Sequence, residues 1–415
     1  MPARTFLFKI LLFAALVFIF LSTPKSAFAD WEKYSGNPIL SATPEWWDRS
    51  AVQGSSLLFE ENIYKMWYVG HSGISGSGWR IGFASSLDGK SDWKKIDHPV
   101  IDIGGTIWGS ESADPYVIHD LDGYKMWYCS ICPGCGESDR FRISYAISND
   151  GIDWNEKDWV LRGGGSGTWD TGGPARGHSI IKSSIGYQMW YAATNEGWNW
   201  QIGYATSPDG INWTKQNEGN PVIAPTKSWE MSNVSYPFVI YESGVYQMWY
   251  AAGAGDLPTQ IVYATSTDGI HWDKPVDKNP VFAIGSPGSW DSTYIASPFV
   301  IKQGNIYKIW YSGYLHATGG GWKIGYAENV LPEPTPTPSP ILQPLILLPG
   351  LGASWNREKI IFGTETPQSD WKIPPWVPYY NNLISALEDA GYHKNQNLFV
   401  FAYDWTKPVD LIADD

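Results

Sequence analysis

Between residues 30 and 330 the apolar positions fall in short runs bounded by Gly, Asp and Asn, and no stretch sustains a helical period. The runs are rich in aromatic and β-branched residues, which suits strands. One of them recurs five times as Tyr-x-Met-Trp-Tyr: at Tyr64, Tyr124, Tyr187, Tyr246 and Tyr307, with Ile309 replacing Met in the last copy. The tryptophans, Trp67, Trp127, Trp190, Trp249 and Trp310, are 60, 63, 59 and 61 residues apart. That period exceeds a helix-pair repeat and suits one four-stranded sheet per unit, set radially beside its neighbours.

Each unit carries the same phrases in the same order. A Trp with a polar residue opens it: Trp47-Asp48, Trp108-Gly109, Trp169-Asp170, Trp229-Glu230 and Trp290-Asp291. A first apolar run leads to the Tyr-x-Met-Trp-Tyr strand, and a third run begins at Ile81, Ile143, Ile202, Ile261 or Ile324. Asp-Gly pairs at Asp88, Asp150, Asp209 and Asp268 then precede Trp93, Trp154, Trp213 and Trp272. Asp-Gly suits a tight turn, because Gly accepts a positive φ. The fifth unit lacks a fourth strand, and Trp31 to Leu40 matches the fourth-strand phrases of other units. The expectation is an all-β propeller of five blades over residues 30–331, closed by its N-terminal strand, which removes open sheet edges.

The ends differ. Residues 1–29 combine Arg4 and Lys9, an apolar stretch and Ala27-Phe28-Ala29, the pattern of a secretory signal peptide; the stretch is short for a membrane span. Residues 332–340 alternate Pro with Thr, Ser and Glu, as an extended linker does. Beyond it, Leu345–Leu348 and Leu398–Ala402 read as buried strands and Asn381–Ala390 as a helix, so 341–415 reads as the N-terminal part of an α/β domain. A net charge of -13 fits an exported soluble protein and argues against a nucleic-acid partner. No membrane span after signal removal and no cofactor or metal are expected.

The region 30–331 resembles the five-bladed propeller glycosidases, the clan of arabinanases, xylosidases, invertases and levansucrases. The blade count, the Asp-Gly-x-x-Trp phrases and Ser112-Ala113-Asp114-Pro115 carry the likeness. It implies three catalytic acids on different blades, of which Asp114 matches the blade-two member. The tenth residue before each strand-opening Tyr is Gly54, Asp114, Gly177, Tyr236 and Ser297, so Asp114 alone is acidic there. The segment from residue 345 resembles the opening of lipase and lecithin:cholesterol acyltransferase-like α/β hydrolases, through Pro349-Gly350-Leu351-Gly352 and Tyr403-Asp404-Trp405. That likeness implies oxyanion-hole amides at Gly350, Leu351 and Gly352.

Candidate catalytic groups are Asp114, against a reading as a hydrated channel residue, and its neighbour Glu111. Candidate substrate-binding residues are Trp46, Trp108, Arg176, His178, Glu196, Trp198, Tyr236 and Asp256. Arg176 either grips a substrate carboxylate or neutralises Asp114. The tryptophans are sugar platforms or packing between blades. The repeated Asp48, Asp170, Glu230 and Asp291 read as structural hydrogen bonding. Cys129, Cys132 and Cys135 point to a disulfide or loop staple rather than a metal site. The expected function is that of an exported carbohydrate-directed protein. Its propeller binds an oligo- or polysaccharide in the central funnel and is tethered to a lipase- or esterase-like domain acting on a lipid or ester. The alternatives are an active glycoside hydrolase using Asp114 with a second carboxylate, and a non-catalytic protein-interaction propeller.

Overall fold

The structure, a computed structural model, describes residues 31–74, 78–102, 111–131, 140–254, 257–316, 321–331, 345–347, 383–384, 387–388, 392 and 398–400. The chain divides into two units, Met1–Leu331 and Pro332–Asp415. The first is an all-β propeller of five blades. Its N-terminal strand β1 (Glu32–Lys33) precedes blade one: β2 (Ala51–Glu60), β3 (Ile63–His71), β4 (Trp79–Ser86) and β5 (Lys94–Lys95). Blade two is β6 (Ser112–Asp120), β7 (Gly123–Ile131), β8 (Phe141–Ser148) and β9 (Trp154–Arg162). Blade three is β10 (Gly173–Ser183), β11 (Gly186–Thr194), β12 (Trp200–Ser207) and β13 (Thr214–Lys215). Blade four is β14 (Asn233–Glu242), β15 (Val245–Ala254), β16 (Leu257–Ser266) and β17 (Phe282–Ala283). Blade five is β18 (Tyr294–Gln303), β19 (Ile306–Tyr314) and β20 (Lys323–Val330), completed by β1 pairing antiparallel with β20. The first strands β2, β6, β10, β14 and β18 touch their neighbours in a closed ring around the axis.

The Tyr-x-Met-Trp-Tyr strand is the second of each blade, enclosed by sheet on both sides and by neighbouring blades on both faces. It is therefore buried almost continuously: Met66, Met126, Met189, Met248, Ile309 and the five adjacent tryptophans are all fully buried. Four of those indoles also pin blade to blade. Trp67, Trp127, Trp190 and Trp310 donate to the carbonyls of Gly151, Gly210, Gly269 and Gly89, at 2.7, 2.8, 2.8 and 2.8 Å. Those glycines belong to the Asp-Gly turns of the next blade. The turn aspartates are spent locally, as when Asp209 accepts the N–H groups of Ile211 and Asn212.

The repeated carboxylates at the blade entrances act within each blade, tying its opening to its second and outer strands. Asp48 accepts from Tyr68 and Lys95, Glu230 from Tyr250 and Lys274, and Asp291 from Tyr311 and Lys33. Asp170 pairs with Lys215 in the same way. Blade two has Gly109 at the opening position, and there Glu156 of β9 takes the Tyr128 hydroxyl at 2.8 Å. The acid has moved from the first strand's entrance to the outer strand, so the buried Tyr keeps its acceptor.

In the second unit Leu345–Leu347 (β21) pairs in parallel with Leu398–Val400 (β22). Two short helical stretches, 383–384 and 387–388, fall within the expected helix. The expected signal segment 1–29, the expected linker 332–340 and the loop Gly350, Leu351, Gly352 lie outside the described residues. Among the described residues no helix is long and apolar enough to cross a membrane.

Candidate functional site

Each of the five first strands breaks its register once, where it passes the axis. The shifts fall between Gln53/Ser55, Ala113/Tyr116, Pro174/His178, Ser235/Phe238 and Ala296/Phe299. A β-bulge re-aims the residue it ejects, and here it places a ring of positive-φ residues at the hub. They are Gly54 (φ 51), Asp114 (50), Arg176 (56) with Gly177 (91), Tyr236 (52) and Ser297 (51). Asp114, Tyr236 and Ser297 are each followed by Pro. Pro has no N–H to contribute to a ladder, so the bulge loses no bond there. Positive φ at four residues with side chains is strain of the kind that gathers at functional sites.

Asp114 lies between two glycines of the neighbouring blades. A Cβ on Gly54 would stand 3.3 Å from Asp114 Oδ1. On the other side the Gly177 N–H donates to Asp114 Oδ2 at 3.2 Å. Burial pushes the Asp114 carboxyl up to about 6, and the Gly177 N–H, the Arg176 charge and the Arg176 N–H only partly offset it. The space on the axis is small, about 30 Å³. Its floor is aromatic: Phe238 and Phe299 pack at 4.4 Å between ring centres, with Tyr116 6.4 and 6.1 Å from them. The axial channel is therefore stopped just below the bulges, and the open space is displaced to one side.

That space is a cavity of about 250 Å³ between blades one, two and three. Asp114 and Glu111 line it together with Gln53, Arg176 and Trp198. Three further walls, Trp79, Phe141 and Trp200, occupy one repeat position, two residues before the third-strand Ile. Two guanidinium groups are held on these rings. Arg176 lies 4.7 Å from the Trp200 ring centre, and Arg140 lies 5.5 Å from Phe141 and 5.6 Å from Trp198. Burial raises the Glu111 carboxyl, opposed by the charge of Arg140. The cavity thus joins two carboxyls raised by burial, one lining arginine and flat apolar walls, with Arg140 against two of those walls.

Of the residues singled out from sequence, Asp114, Glu111, Arg176 and Trp198 meet in this cavity, and Trp198 is 40% exposed. Tyr236 belongs to the hub ring instead, where its backbone would crowd any Cβ on Gly177. His178 also reaches the hub, but it is buried and donates through Nε2 to the Trp127 carbonyl at 3.1 Å. Burial lowers it to about 4, so it is a neutral interblade strut at ordinary pH. Trp46 is half-buried in the turn ahead of β2, and Glu196 is exposed; neither lines the cavity. Trp108 and Asp256 lie outside the described residues.

The expected staple at the cysteines does not include Cys129, which is a free, buried thiol. Its place on β7 turns it inward, against Ala175, Ala192 and Trp200, where Sγ donates to the Pro174 carbonyl at 3.1 Å. Cys132 and Cys135 lie outside the described residues. Arg140, Trp79, Phe141 and Trp200 were not among the expected site residues. The shared position of Trp79 and Trp200 was visible in the repeat, but it reads equally as packing.

The fold that carries this cavity, a five-bladed propeller, is shared with solved glycoside-hydrolase propellers. Among solved structures it matches a glycosyl hydrolase from Bacteroides ovatus, with a TM-score of 0.57 at 17% identity over 74% of this protein and 97% of that one. It also matches a structure from the GH130 family of mannoside phosphorylases, described as containing glycoside hydrolases that target β-1,2 mannosidic linkages in Candida mannan (TM-score 0.57, 18% identity, 74% and 98% covered). A thermostable family-43 glycoside hydrolase matches with a TM-score of 0.54 at 18% identity, covering 69% and 92%. Identities this low show the fold alone. No family model matches the chain. By sequence it is similar to the uncharacterized proteins Rv1502 and MT1551 of Mycobacterium tuberculosis (strains ATCC 25618 / H37Rv and CDC 1551 / Oshkosh). Each is 32% identical over 180 residues, 41% of this chain and 56% of the relative. The chain spans about half the length of the curated relatives it matches.

Proposed function

We propose that the propeller is carbohydrate-directed and seats a glycan in the cavity beside the hub. The observation that carries this is the meeting of Asp114, Glu111 and Arg176 with the aromatic walls Trp79, Trp198 and Trp200 in one space of about 250 Å³. Aromatic faces take the C–H faces of sugars while the polar groups take their hydroxyls. The likeness to glycoside hydrolases supports the substrate class. The protein is exported by residues 1–29, and its propeller is tethered through 332–340 to a lipase- or esterase-like domain acting on a lipid or ester. Parallel pairing of Leu345–Leu347 with Leu398–Val400 supports that domain, since parallel strands need a long crossover between them. Glycan-array binding by the full chain, lost in Trp198→Ala with the fold intact by circular dichroism, is the expected result. A full chain that captures a protein partner and has no affinity for any sugar overturns it.

A second reading, glycoside hydrolysis, is favoured by one observation. Asp114 and Glu111 line the same cavity and burial holds both toward protonation. One carboxylic acid would protonate the glycosidic oxygen as its bond to the anomeric carbon breaks. The other, ionised, would take a proton from the water that attacks that carbon. Reducing-end release abolished in Asp114→Asn is the expected outcome, and unchanged release rejects this mechanism.

A further inference from the structure

We propose that the cavity beside Asp114 is built for a sugar that carries a carboxylate, received by the guanidinium of Arg176 with Arg140 as a second cation at the rim. The inference rests on the glycan reading of the same cavity and names the class of sugar.

Cation placement in an acidic protein is the starting point. The chain has a net charge of -13, yet two arginines gather around this one cavity. Each guanidinium sits over a ring that walls the space: Arg176 over Trp200, and Arg140 near both Trp198 and Phe141. The ring contact restricts where each guanidinium sits, and a guanidinium carries its five N–H donors in one planar fork. A carboxylate is the planar acceptor that matches such a fork with two parallel bonds. Neutral hydroxyls need no fixed cation.

Charge within the site points the same way. The Arg140 charge favours an ionised Glu111 and the Arg176 charge an ionised Asp114, so each acid of the site stands beside a cation. The backbone supports the assignment as well. Arg176 is held at φ 56 in the blade-three bulge, a conformation costly for a residue with a side chain. The bulge places that side chain in the cavity wall rather than in the ladder.

The test measures binding by the full chain at about pH 6, by calorimetry, of glucuronate- and galacturonate-containing oligosaccharides against their neutral parents. Acetate and a sulfated form of the same sugars serve as further probes. The acidic sugars are expected to bind about tenfold or more tighter than the neutral ones, as one charge-assisted bidentate pair warrants. The preference should weaken as salt rises and disappear in Arg176→Gln. Arg140→Gln, at the rim and outside the strained bulge, should reduce it without loss of fold. Neutral oligosaccharides bound as tightly as acidic ones would overturn this inference and leave the glycan reading standing. Tighter binding of the sulfated sugar would overturn the carboxylate assignment. No binding by any sugar would remove both readings together.

Discussion

The carboxylate of Asp114 accepts the backbone N–H of Gly177 across a blade boundary, at 3.2 Å. The N–H groups of Gly177 and Arg176 and the Arg176 charge only partly offset the desolvation of this carboxylate, and the carboxyl is correspondingly raised, to about 6. The sign follows from linkage. A folded state that holds this proton more tightly than the unfolded chain is favoured at low pH, and that stability is lost as pH rises through about 6. Asp114→Asn keeps the shape and has no charge to bury. It should therefore stabilise the propeller by about 1–3 kcal/mol at pH 8 and by nearly nothing at pH 4. Denaturant titrations of both proteins at the two pH values measure this, and an equal difference at both would contradict it.

Gly177 is required there for two reasons. Its φ is 91, and a Cβ would stand 2.8 Å from the Tyr236 Cα. Because backbone, not a flexible side-chain tip, is in the way, Gly177→Ala must shift one bulge against the other. We expect a loss of about 2 kcal/mol or more in stability, the upper side of a Gly-to-Ala change at positive φ. The shift would also draw the residue-177 N–H away from Asp114, so its titration should move further up. A stability measurement and a pH profile of ligand binding on the same variant separate the two effects.

The fold was legible because a period near 60 residues fixes a blade, and counting back from each strand-opening Tyr reaches the hub. That offset found Asp114. It did not find the cavity, because register along a strand gives a residue's distance from the axis and not which side of the hub stays open. The opening is set by the ring volumes of Tyr116, Phe238 and Phe299, which stop the axis. Trp79 and Trp200 were hidden by their own regularity: recurring with the blade, they look like packing, and Trp200 does double as core. Arg140 stands where no repeat phrase reaches. His178 and Arg176, two residues apart, could not be told apart from sequence. The bulge between them sends one into an interblade contact and the other to the cavity.

Ring closure runs along residues 31–40, which pair with β20 at β1 and again through Tyr34, Asn37, Ile39 and Leu40, and Lys33 ties this segment to the blade-five entrance. Its Nζ lies 2.6 Å from Asp291 Oδ2 and 3.2 Å from the Ala283 carbonyl, while the ammonium sits 4.9 Å from the Phe282 ring centre. Lys33→Met keeps the apolar stem and removes the cation beside Asp291, which is 2% exposed and then accepts from the hydroxyls of Tyr311 and Ser289 without a counter-charge. Stranding a buried charge costs about 2–4 kcal/mol, and the loss should localise to the closure. Hydrogen exchange at residues 31–40 should accelerate before that of β3. Adding Asp291→Asn should recover part of the loss, and a strictly additive double variant would refute the pairing.

The indole pins give the sharpest comparison, because the repeat supplies its own control. Trp190 donates to Gly269 at 2.8 Å, as its counterparts in blades one, two and five do to theirs. Trp249 is just as buried, yet among the described residues its Nε1 has no acceptor. The cause is the closure: β20 ends at Val330 and β1 starts at Glu32, so blade five has no Asp-Gly turn to present a carbonyl. Replacing either Trp by Phe removes the same ring volume and the same N–H. At position 190 it also breaks a bond and strands the Gly269 carbonyl, whereas at 249 it relieves an unsatisfied donor. Trp190→Phe should therefore be more destabilising than Trp249→Phe by about 1–3 kcal/mol in chemical denaturation. Equal losses would mean that packing alone sets the energy of these positions and that the blade-to-blade hydrogen bonds contribute nothing to holding the ring.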